Sequence, residues 1–329
     1  MPNRYTEDSG IRVTQCESWD AFIQALRVTG GKQIGGRIYR GHAKPEWKLS
    51  STWERFIAYL SRGMPRTREE FFGPHDGFER FSSRHSSIGN YEQARDANLL
   101  AFKWLAGTMP ELPERTLETD DDWWTFGRHH GLNTPLLDWS RSPFVAAFWA
   151  FSERVISENP HLGSPNPEAI TSSGPPVVVW ELSCTRDVFV DGEFSFIDNV
   201  RYELHRQRAQ QGVFTRLEHD AYIEIESYLA SRDLGHLLER YEIQYARSVN
   251  AAISDLDRMN IHFGTVYPDP GGAARQANLA SSWHGFSLGA SNEMPSWDGR
   301  PVQQEAQPFT VSLRPESFIA GSPNTPEDG

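Results

Sequence analysis

The chain has 329 residues, of which 38% are hydrophobic and 23% charged, a composition that suits a globular protein and excludes wholesale disorder. Its formal net charge of −12 excludes a general attraction to nucleic-acid phosphates, although a local basic groove is compatible with it. Cys16 and Cys184 lie far apart in sequence, so neither a disulfide framework nor a thiolate zinc site is expected.

The N-terminal half predicts short strands and several helices. Hydrophobic spacing and glycine boundaries predict strands over residues 11–14 and 35–41, and helices over residues 17–26, 69–81, 92–105 and 120–126. A strong buried helix follows over residues 142–155, with Ser142 suited to its N-cap and Pro143 to its first turn. We expect the apolar residues 136–139 to belong to the same helical anchor, with Asp138 tying it to nearby basic side chains.

In the C-terminal half, the β-branched run 176–182 predicts a central strand. Further predicted elements are strands over 212–215 and 239–244, helices over 219–229 and 246–259, and a last short helix after the turn-rich segment 265–272. Residues 284–329 carry few periodic apolar positions, which predicts a loosely ordered tail behind a domain of residues 1–283. The pattern indicates an α+β fold, with a small central sheet of short strands from distant chain segments, wrapped by many helices.

Targeting and nucleotide-binding signatures are absent from the sequence. The N-terminus has no apolar signal region, and no stretch approaches about 18 consecutive apolar residues. A soluble cytoplasmic protein without a membrane partner is therefore expected. The absence of GxGxxG and GxxxxGK[ST] argues against Rossmann and P-loop nucleotide binding.

Three stretches carry a family resemblance. They read IYRGHAKPEWKLSSTWER (38–55), GRHHGLNTPLLDWSRSPFVAAFWAF (127–151) and QQGVFT (210–215), the last followed by YPDPGG (267–272). Together they resemble the FRG domain, a bacterial and phage-associated family named for its Phe-Arg-Gly motif, over roughly residues 17–283. Tyr39 stands in place of that Phe.

The resemblance has two departures in its middle motif. Arg128 stands where the family often has Gln, and Pro135 where it often has Arg. If that arginine contacts phosphate in other members, this chain lacks the contact or supplies it from elsewhere.

Arg40 ends a predicted strand between Tyr39 and Gly41. This arrangement is similar to the opening strand of Arg-type ADP-ribosyltransferases, where the arginine holds the phosphates and ribose of NAD and the glycine admits the dinucleotide. The similarity implies a catalytic Arg40, with Tyr39 and Gly41 in contact with NAD. Alternatively, Arg40 pairs with a buried acid such as Asp138.

The turn at residues 129–134 offers further candidate site residues. His129 and His130 could act as a general base, bond a ribose hydroxyl or bind a metal. Adjacent histidines on a helix point about 100° apart, so we favour a single catalytic imidazole, His130, because it precedes Gly131. We expect His129, Gly131 and Asp138 to contact NAD. The alternative is that one caps the helix and the other packs. Thr134 could orient the nicotinamide ribose, or serve only as a turn or cap residue.

Two more positions complete the predicted site. Asp138 is expensive to bury unpaired, so it is expected to meet Arg40, Arg141 or a histidine, either as scaffold or to orient a catalytic His. Gln211 precedes a predicted strand, as does the Glu or Gln that contacts the nicotinamide ribose in the transferases. An amide stabilises positive charge less well than a carboxylate. The alternative acids are Glu203 and the pair Glu224 and Glu226.

Three functions remain open. The first is an ADP-ribosyltransferase-like enzyme that consumes NAD as substrate, needs no metal and modifies a protein or nucleic acid, as a toxin or antiphage effector with an antitoxin or defence-system partner. The second is a metal-dependent nuclease that uses His129, His130 and Asp138. The third is a non-catalytic module that senses or binds a nucleotide.

Overall fold

The computed structural model describes residues 9–29, 36–60, 91–109, 117–158, 174–184, 193–198, 205–217 and 224–283. The strands in these residues are Arg12–Cys16 (β1), Gly36–His42 (β2), Leu137–Ser140 (β3), Val177–Cys184 (β4), Phe194–Ile197 (β5), Gly212–Leu217 (β6) and Leu238–Ile243 (β7). The helices are Trp19–Thr29 (α1), Thr52–Leu60 (α2), Tyr91–Ala106 (α3), Asp120–His129 (α4), Pro143–Glu158 (α5), His205–Ala209 (α6), Ile225–Ser231 (α7), Tyr245–Arg258 (α8), Phe263–Val266 (α9) and Pro270–Trp283 (α10).

The seven strands form one mixed sheet in the order β1-β7-β4-β2-β3-β6-β5. β1 runs parallel to β7, and the other neighbouring strands are antiparallel. Strands that are distant in sequence lie side by side, and helices from the intervening chain cover them. The predicted α+β fold is therefore confirmed.

Each face of the sheet contributes to a separate core. On one face, Val179 and Tyr241 pack with residues of α1, α5 and α8, among them Phe151. On the other face, Val178 and Trp180 pack with α7 and the loop after β2. Successive β4 side chains enter opposite cores, so β4 is buried on both sides, as predicted for a central strand.

β2 and β3 are paired at a single position and diverge beyond it. β2 pairs with β4 along its whole length, but with β3 only where Tyr39 lies opposite Ser140. Beyond this pair the side chain of Arg40 reaches across to Asp138. The candidate site lies at this opening, between the end of β2 and the start of β3.

Gly41 lets α5 pack directly against β2. A methyl group at Gly41 would place its carbon 1.8 Å from the carbonyl oxygen of Ala146 and 2.9 Å from the backbone nitrogen of Ala150. Both neighbours are helix backbone, which cannot rotate away as a side chain can. The glycine therefore sets the position of α5, and helix backbone covers this point of the sheet.

We expect Gly41→Ala to lower the free energy of unfolding by about 3–5 kcal/mol, because the added methyl overlaps α5 backbone. Gly36→Ala in the same strand is a matched control, since nothing lies within 4 Å of the position that its methyl group would take. Urea unfolding of both variants measures the difference. Equal stabilities would show that α5 shifts freely to accept the methyl group.

Residues 137–140 form β3, so the prediction that residues 136–139 belong to a helical anchor is wrong. All four pair with β6, from Leu137 opposite Thr215 to Ser140 opposite Gly212. Trp139 is buried and its Nε1 donates to Oγ1 of Thr215 at 2.8 Å. A strand of four residues is too short to show clear alternation beside the strong helical pattern, which begins at Pro143.

The other predicted elements agree better with the structure. β1, β2, β4, β6 and β7 and helices α1, α3, α4, α5, α8 and α10 all occur close to their predicted positions, and the predicted helix 219–229 begins at Ile225 in the described residues. β5, α2, α6 and α9 were not predicted. The predicted helix 69–81 and the predicted tail 284–329 lie outside the described residues. Of the helices described, none combines the length and the apolar character needed to cross a membrane.

Candidate functional site

Arg40 is held by two neighbours at the end of β2. Its Nε donates to Nε2 of His42 at 3.1 Å, and its Nη1 donates to the carbonyl oxygen of Asp138 at 2.5 Å. The same Nη1 lies 3.6 Å from the Asp138 carboxylate, so Arg40 does meet this acid. Burial lowers the pKa of Arg40 to about 10 against the opposing attraction of Asp138. The guanidinium is therefore charged at neutral pH.

Asp138 is bound in a two-point ion pair by Arg128, near the end of α4. Arg128 Nη2 donates to Oδ2 at 2.7 Å and its Nε to Oδ1 at 3.1 Å. Burial would raise the pKa of Asp138, but the charge and hydrogen bonds of Arg128, with help from Arg40, lower it to about 2. The side chain is still 38% exposed, so this group, which is ionised at neutral pH, lies at the protein surface.

Arg55 and Glu153 extend this group. Burial and the charge of Arg128 lower the pKa of Arg55, while Asp138 and Glu153 oppose the shift. Glu153, on the exposed side of α5, has its pKa raised by desolvation against the attraction of Arg40 and Arg55. We call Arg40, Arg55 and Arg128, with Asp138 and Glu153, the arginine cluster.

The guanidiniums of the arginine cluster have N–H groups that no described residue accepts. Within the part of the chain that the structure describes, Arg40 uses Nε and Nη1, Arg128 uses Nε and Nη2, and Arg55 uses only Nη1, which donates to the carbonyl of Ser50 at 2.7 Å. One or more N–H groups of each guanidinium therefore have no partner among the described residues. Three cations against two carboxylates leave a net positive charge, which suits an oxyanion such as phosphate.

The two adjacent histidines have different surroundings. α4 ends in a left-handed glycine, Gly131, with φ +90°, and Leu132 N–H bonds the carbonyl of Gly127 at 2.8 Å, as in a Schellman motif. His130 is exposed and packs on Phe126, with ring centroids 4.5 Å apart. His129 instead faces the electrostatic field of Asp138 and Arg128, so of the two imidazoles it is His129 that adjoins the arginine cluster.

His129 is held neutral. Burial lowers its pKa to about 4, against the attraction of Asp138. Its buried Nε2 has no hydrogen-bond partner among the described residues. The ring nitrogen of a neutral imidazole can accept or donate one hydrogen bond, depending on the tautomer, and at Nε2 of His129 this capacity is unused in the described structure.

We expect His129 to make the protein less stable as the pH falls from about 6.5 to 4. In that window the unfolded chain binds a proton at His129 and the folded chain does not, so unfolding takes up the proton. The free energy of unfolding should drop by up to about 2 kcal/mol between pH 7 and 5 from this group. Thermal unfolding of wild type and His129→Gln at both pH values measures it. His130→Gln is the control, and an unchanged pH slope in His129→Gln would contradict the prediction.

The residues flanking Arg40 support the scaffold. Tyr39 is buried on the α5 face, and burial followed by the charge of Glu181 raises its pKa to about 12. Gly41 faces α5, as described above. The structure therefore places both residues next to Arg40 in sequence but against the core behind it.

Thr134 lies against the start of α2. Its backbone N–H donates to Oγ1 of Thr52 at 3.0 Å, and its carbonyl accepts from Trp53 N–H at 3.1 Å. The side chain is fully buried, and its Oγ1 has no hydrogen-bond partner among the described residues. Thr134 thus joins the turn after α4 to the helix that carries Arg55.

Gln211 occupies an exposed left-handed position, φ +49°, between α6 and β6. The next residue, Gly212, pairs with Ser140, so Gln211 lies two strands away from β2. Its neighbour Gln210 is the one whose amide is held inward, with Nε2 donating to the carbonyl of Val266 at 3.0 Å.

The alternative acids are placed as follows. Glu226 is buried and accepts from Lys48 Nζ and Leu49 N–H, each at 3.1 Å, so it anchors the loop after β2. Glu224 lies at the N-cap position of α7. Glu203 lies outside the described residues. Among the described acids, Asp138 and Glu153 act on the charge of Arg40, and no sequence prediction included Glu153.

Tyr267 contacts two further arginines and lies near the Arg128 and Asp138 side of the arginine cluster. Its ring lies 4.9 Å from the Arg206 guanidinium and 5.3 Å from that of Arg275, and it packs on Trp149 at 5.2 Å. Burial raises the pKa of Tyr267, and the charges of Arg128 and Asp138 also act on it. The only sequence signal for it was the YPDPGG turn. Among the described residues, no group of three or more His, Cys, Asp or Glu side chains is arranged to hold a metal ion.

Comparison with known proteins agrees with the motifs. The family model of the FRG domain matches residues 36–159, from the start of β2 to the end of α5. Residues 36–159 are therefore similar to the FRG domain, and this segment carries every member of the arginine cluster. Neither the curated proteins nor the solved structures include a match to the chain.

Proposed function

We propose that this protein is an ADP-ribosyltransferase-like enzyme that binds NAD as its substrate. The observation that carries the proposal is the arginine cluster, in which Arg40 and Arg128 bind the ionised carboxylate of Asp138, Arg55 lies within reach of its charge, and all three guanidiniums have unused N–H groups. Planar guanidiniums bind phosphate oxygens in two-point contacts, and NAD offers a pyrophosphate of two negative charges. Asp138 holds Arg40 and Arg128 in place before a ligand arrives.

The remaining groups suit glycosyl transfer. In that reaction the bond between the nicotinamide nitrogen and the ribose carbon breaks, positive charge develops on the ribose, and a target nucleophile forms the new bond and loses its proton. Glu153 is the carboxylate that would stabilise this positive charge, because it lies near the charges of Arg40 and Arg55 and remains exposed. Neutral His129 would bond a ribose hydroxyl only if ligand binding uncovered its Nε2, which is buried and unpartnered among the described residues.

Nicotinamide release from NAD tests the proposal. The purified chain, with and without bacterial lysate as a source of targets, should release nicotinamide, and Glu153→Gln should reduce the rate about 100-fold while binding NAD nearly as tightly as wild type. Glu17→Gln is the matched control, since Glu17 is exposed and paired with Arg247 on the surface. No release in either setting, and no modified component in the lysate, would contradict enzymatic activity.

A nucleotide-binding module without turnover is the second candidate. The position of Gln211 supports it, because this residue lies in an exposed turn two strands from β2. In that case NAD or another nucleotide would bind with no nicotinamide release, and Glu153→Gln would leave the affinity unchanged.

A toxin or antiphage effector would fit an enzyme of this kind, with a protein or nucleic acid as its target and an antitoxin or defence-system partner to restrain it. Expression of wild type in bacteria should then arrest growth, and Glu153→Gln should relieve the arrest at equal protein level. Equal growth of the two strains would count against a toxic activity.

A further inference from the structure

His42 is a buried histidine in direct contact with Arg40. It follows Arg40 by two residues in β2, so both side chains leave the same side of the strand. Its side chain is almost fully buried, at 2% exposure for the residue, and its Nε2 accepts the Nε–H of Arg40 at 3.1 Å. The indole of Trp47 packs edge-on against the imidazole, with centroids 6.0 Å apart. The ring therefore has little freedom to turn.

The surroundings of His42 fix which of its nitrogens carries the proton. The charged groups that face it are Arg40 on β2, Arg55 on α2 and Arg240 on β7, all cations, and its buried Nδ1 has no hydrogen-bond partner among the described residues. Burial and these cations lower its pKa well below the ordinary value of 6.5. A guanidinium only donates, so the Nε2 that accepts from Arg40 carries no proton, and the proton resides on Nδ1.

We infer that His42 is the positioning residue for Arg40: its unprotonated Nε2, with the Asp138 carbonyl, fixes the guanidinium plane so that the free Nη2 edge faces the ligand phosphate. His42 accepts from Nε and the Asp138 carbonyl from Nη1, and these two hydrogen bonds determine the direction in which Nη2 of Arg40 points. The inference rests on the proposed function insofar as that edge binds the pyrophosphate of NAD. Pre-orientation removes the cost of ordering a long side chain during binding.

Isothermal titration with NAD and with inorganic pyrophosphate tests this role. We expect His42→Ala to raise the Kd for both ligands about tenfold, and His42→Gln to restore it to within about threefold, since the Gln Oε1 can accept from Arg40 Nε. The effect should vanish in an Arg40→Ala background, because His42 acts only through that guanidinium. Additive losses in the double variant, or no rescue by Gln, would overturn the inference.

A second measurement does not depend on the ligand. In nuclear magnetic resonance spectra of the free protein, the Arg40 Nε–H should exchange slowly with water in wild type and His42→Gln, and quickly in His42→Ala. Equal exchange in wild type and His42→Ala would overturn the positioning role. If the exchange data agree but neither NAD nor pyrophosphate binds wild type, the proposed function fails and the positioning of Arg40 stands.

Discussion

Asp138→Asn is expected to lower the free energy of unfolding of the free protein by about 2 kcal/mol and to make its stability depend more strongly on added pyrophosphate. The substitution keeps the shape of the side chain and removes the one charge that faces both Arg40 and Arg128. Breaking a fully buried ion pair costs about 3–5 kcal/mol. We expect about half of that because the Asp138 side chain is 38% exposed and water compensates part of the loss.

The second half of this prediction concerns the anion. Without Asp138, the arginine cluster holds three guanidiniums against Glu153 alone, so an added oxyanion gains more by binding. Inorganic pyrophosphate should therefore raise the Tm of Asp138→Asn by several degrees more than that of wild type. Differential scanning calorimetry with and without pyrophosphate measures both effects.

Asp198→Asn provides the matched control. Asp198 pairs with Arg141, and both side chains are more than 40% exposed. Its loss should change the free energy of unfolding by less than about 0.5 kcal/mol, with no special response to pyrophosphate. If Asp138→Asn behaved in the same way, Asp138 would not organise the arginine cluster.

How far the sequence predicted the fold depends on the length of each element. The run 142–155 was predictable from its helical period and the run 176–182 from its continuous β-branched apolar residues, and they occur as α5 and β4. β3 was missed because Leu137–Ser140 is only four residues long and gains its strand character from pairing with β6. Such pairing joins residues about 75 positions apart, and no local pattern records it.

The charged residues of the site were likewise only partly predictable from local sequence. The pairing of Asp138 with Arg40 was predictable, because a carboxylate between Leu137 and Trp139 needs a cation and the motif supplied one. Arg128 was noted as a departure from the family, where Gln is common, and it turns out to bind Asp138 more closely than Arg40 does. Its role follows from the helix–strand geometry of α4 and β3, which ten residues of sequence do not specify.

The helical period predicts that His129 and His130 point in different directions, but not which of them lies near the arginine cluster. Their divergence around the helix was predictable, and the structure places them in different environments. Which one faces the arginine cluster depends on the rotation of α4 about its axis. That rotation is set by tertiary contacts such as the packing of Gly127 against Leu132 and Phe102. Glu153 was missed for a related reason, since it lies on a helix whose buried side dominated the pattern.

Arg40→Ala should weaken NAD binding about 100-fold, a loss of about 2.7 kcal/mol, because it removes one of the three cations and the one fixed by both His42 and Asp138. Arg40→Lys should lose about tenfold. The ammonium keeps the charge but lacks the planar fork that donates to His42 and Asp138 at once. Isothermal titration of NAD into each variant gives the two Kd values, and calorimetry of the free proteins shows whether folding is affected.

The ordering of these variants carries more information than either value. A site that attracts anions by charge alone would bind NAD equally well with Lys or Arg at position 40. Arg247→Ala, which removes an exposed arginine paired with Glu17, should leave the Kd unchanged and controls for the loss of net charge. If Arg40→Lys and wild type had the same Kd for NAD, Arg40 would contribute only its charge. Lys intermediate between Arg and Ala would mean that binding depends on the direction of the guanidinium, which His42 and Asp138 determine.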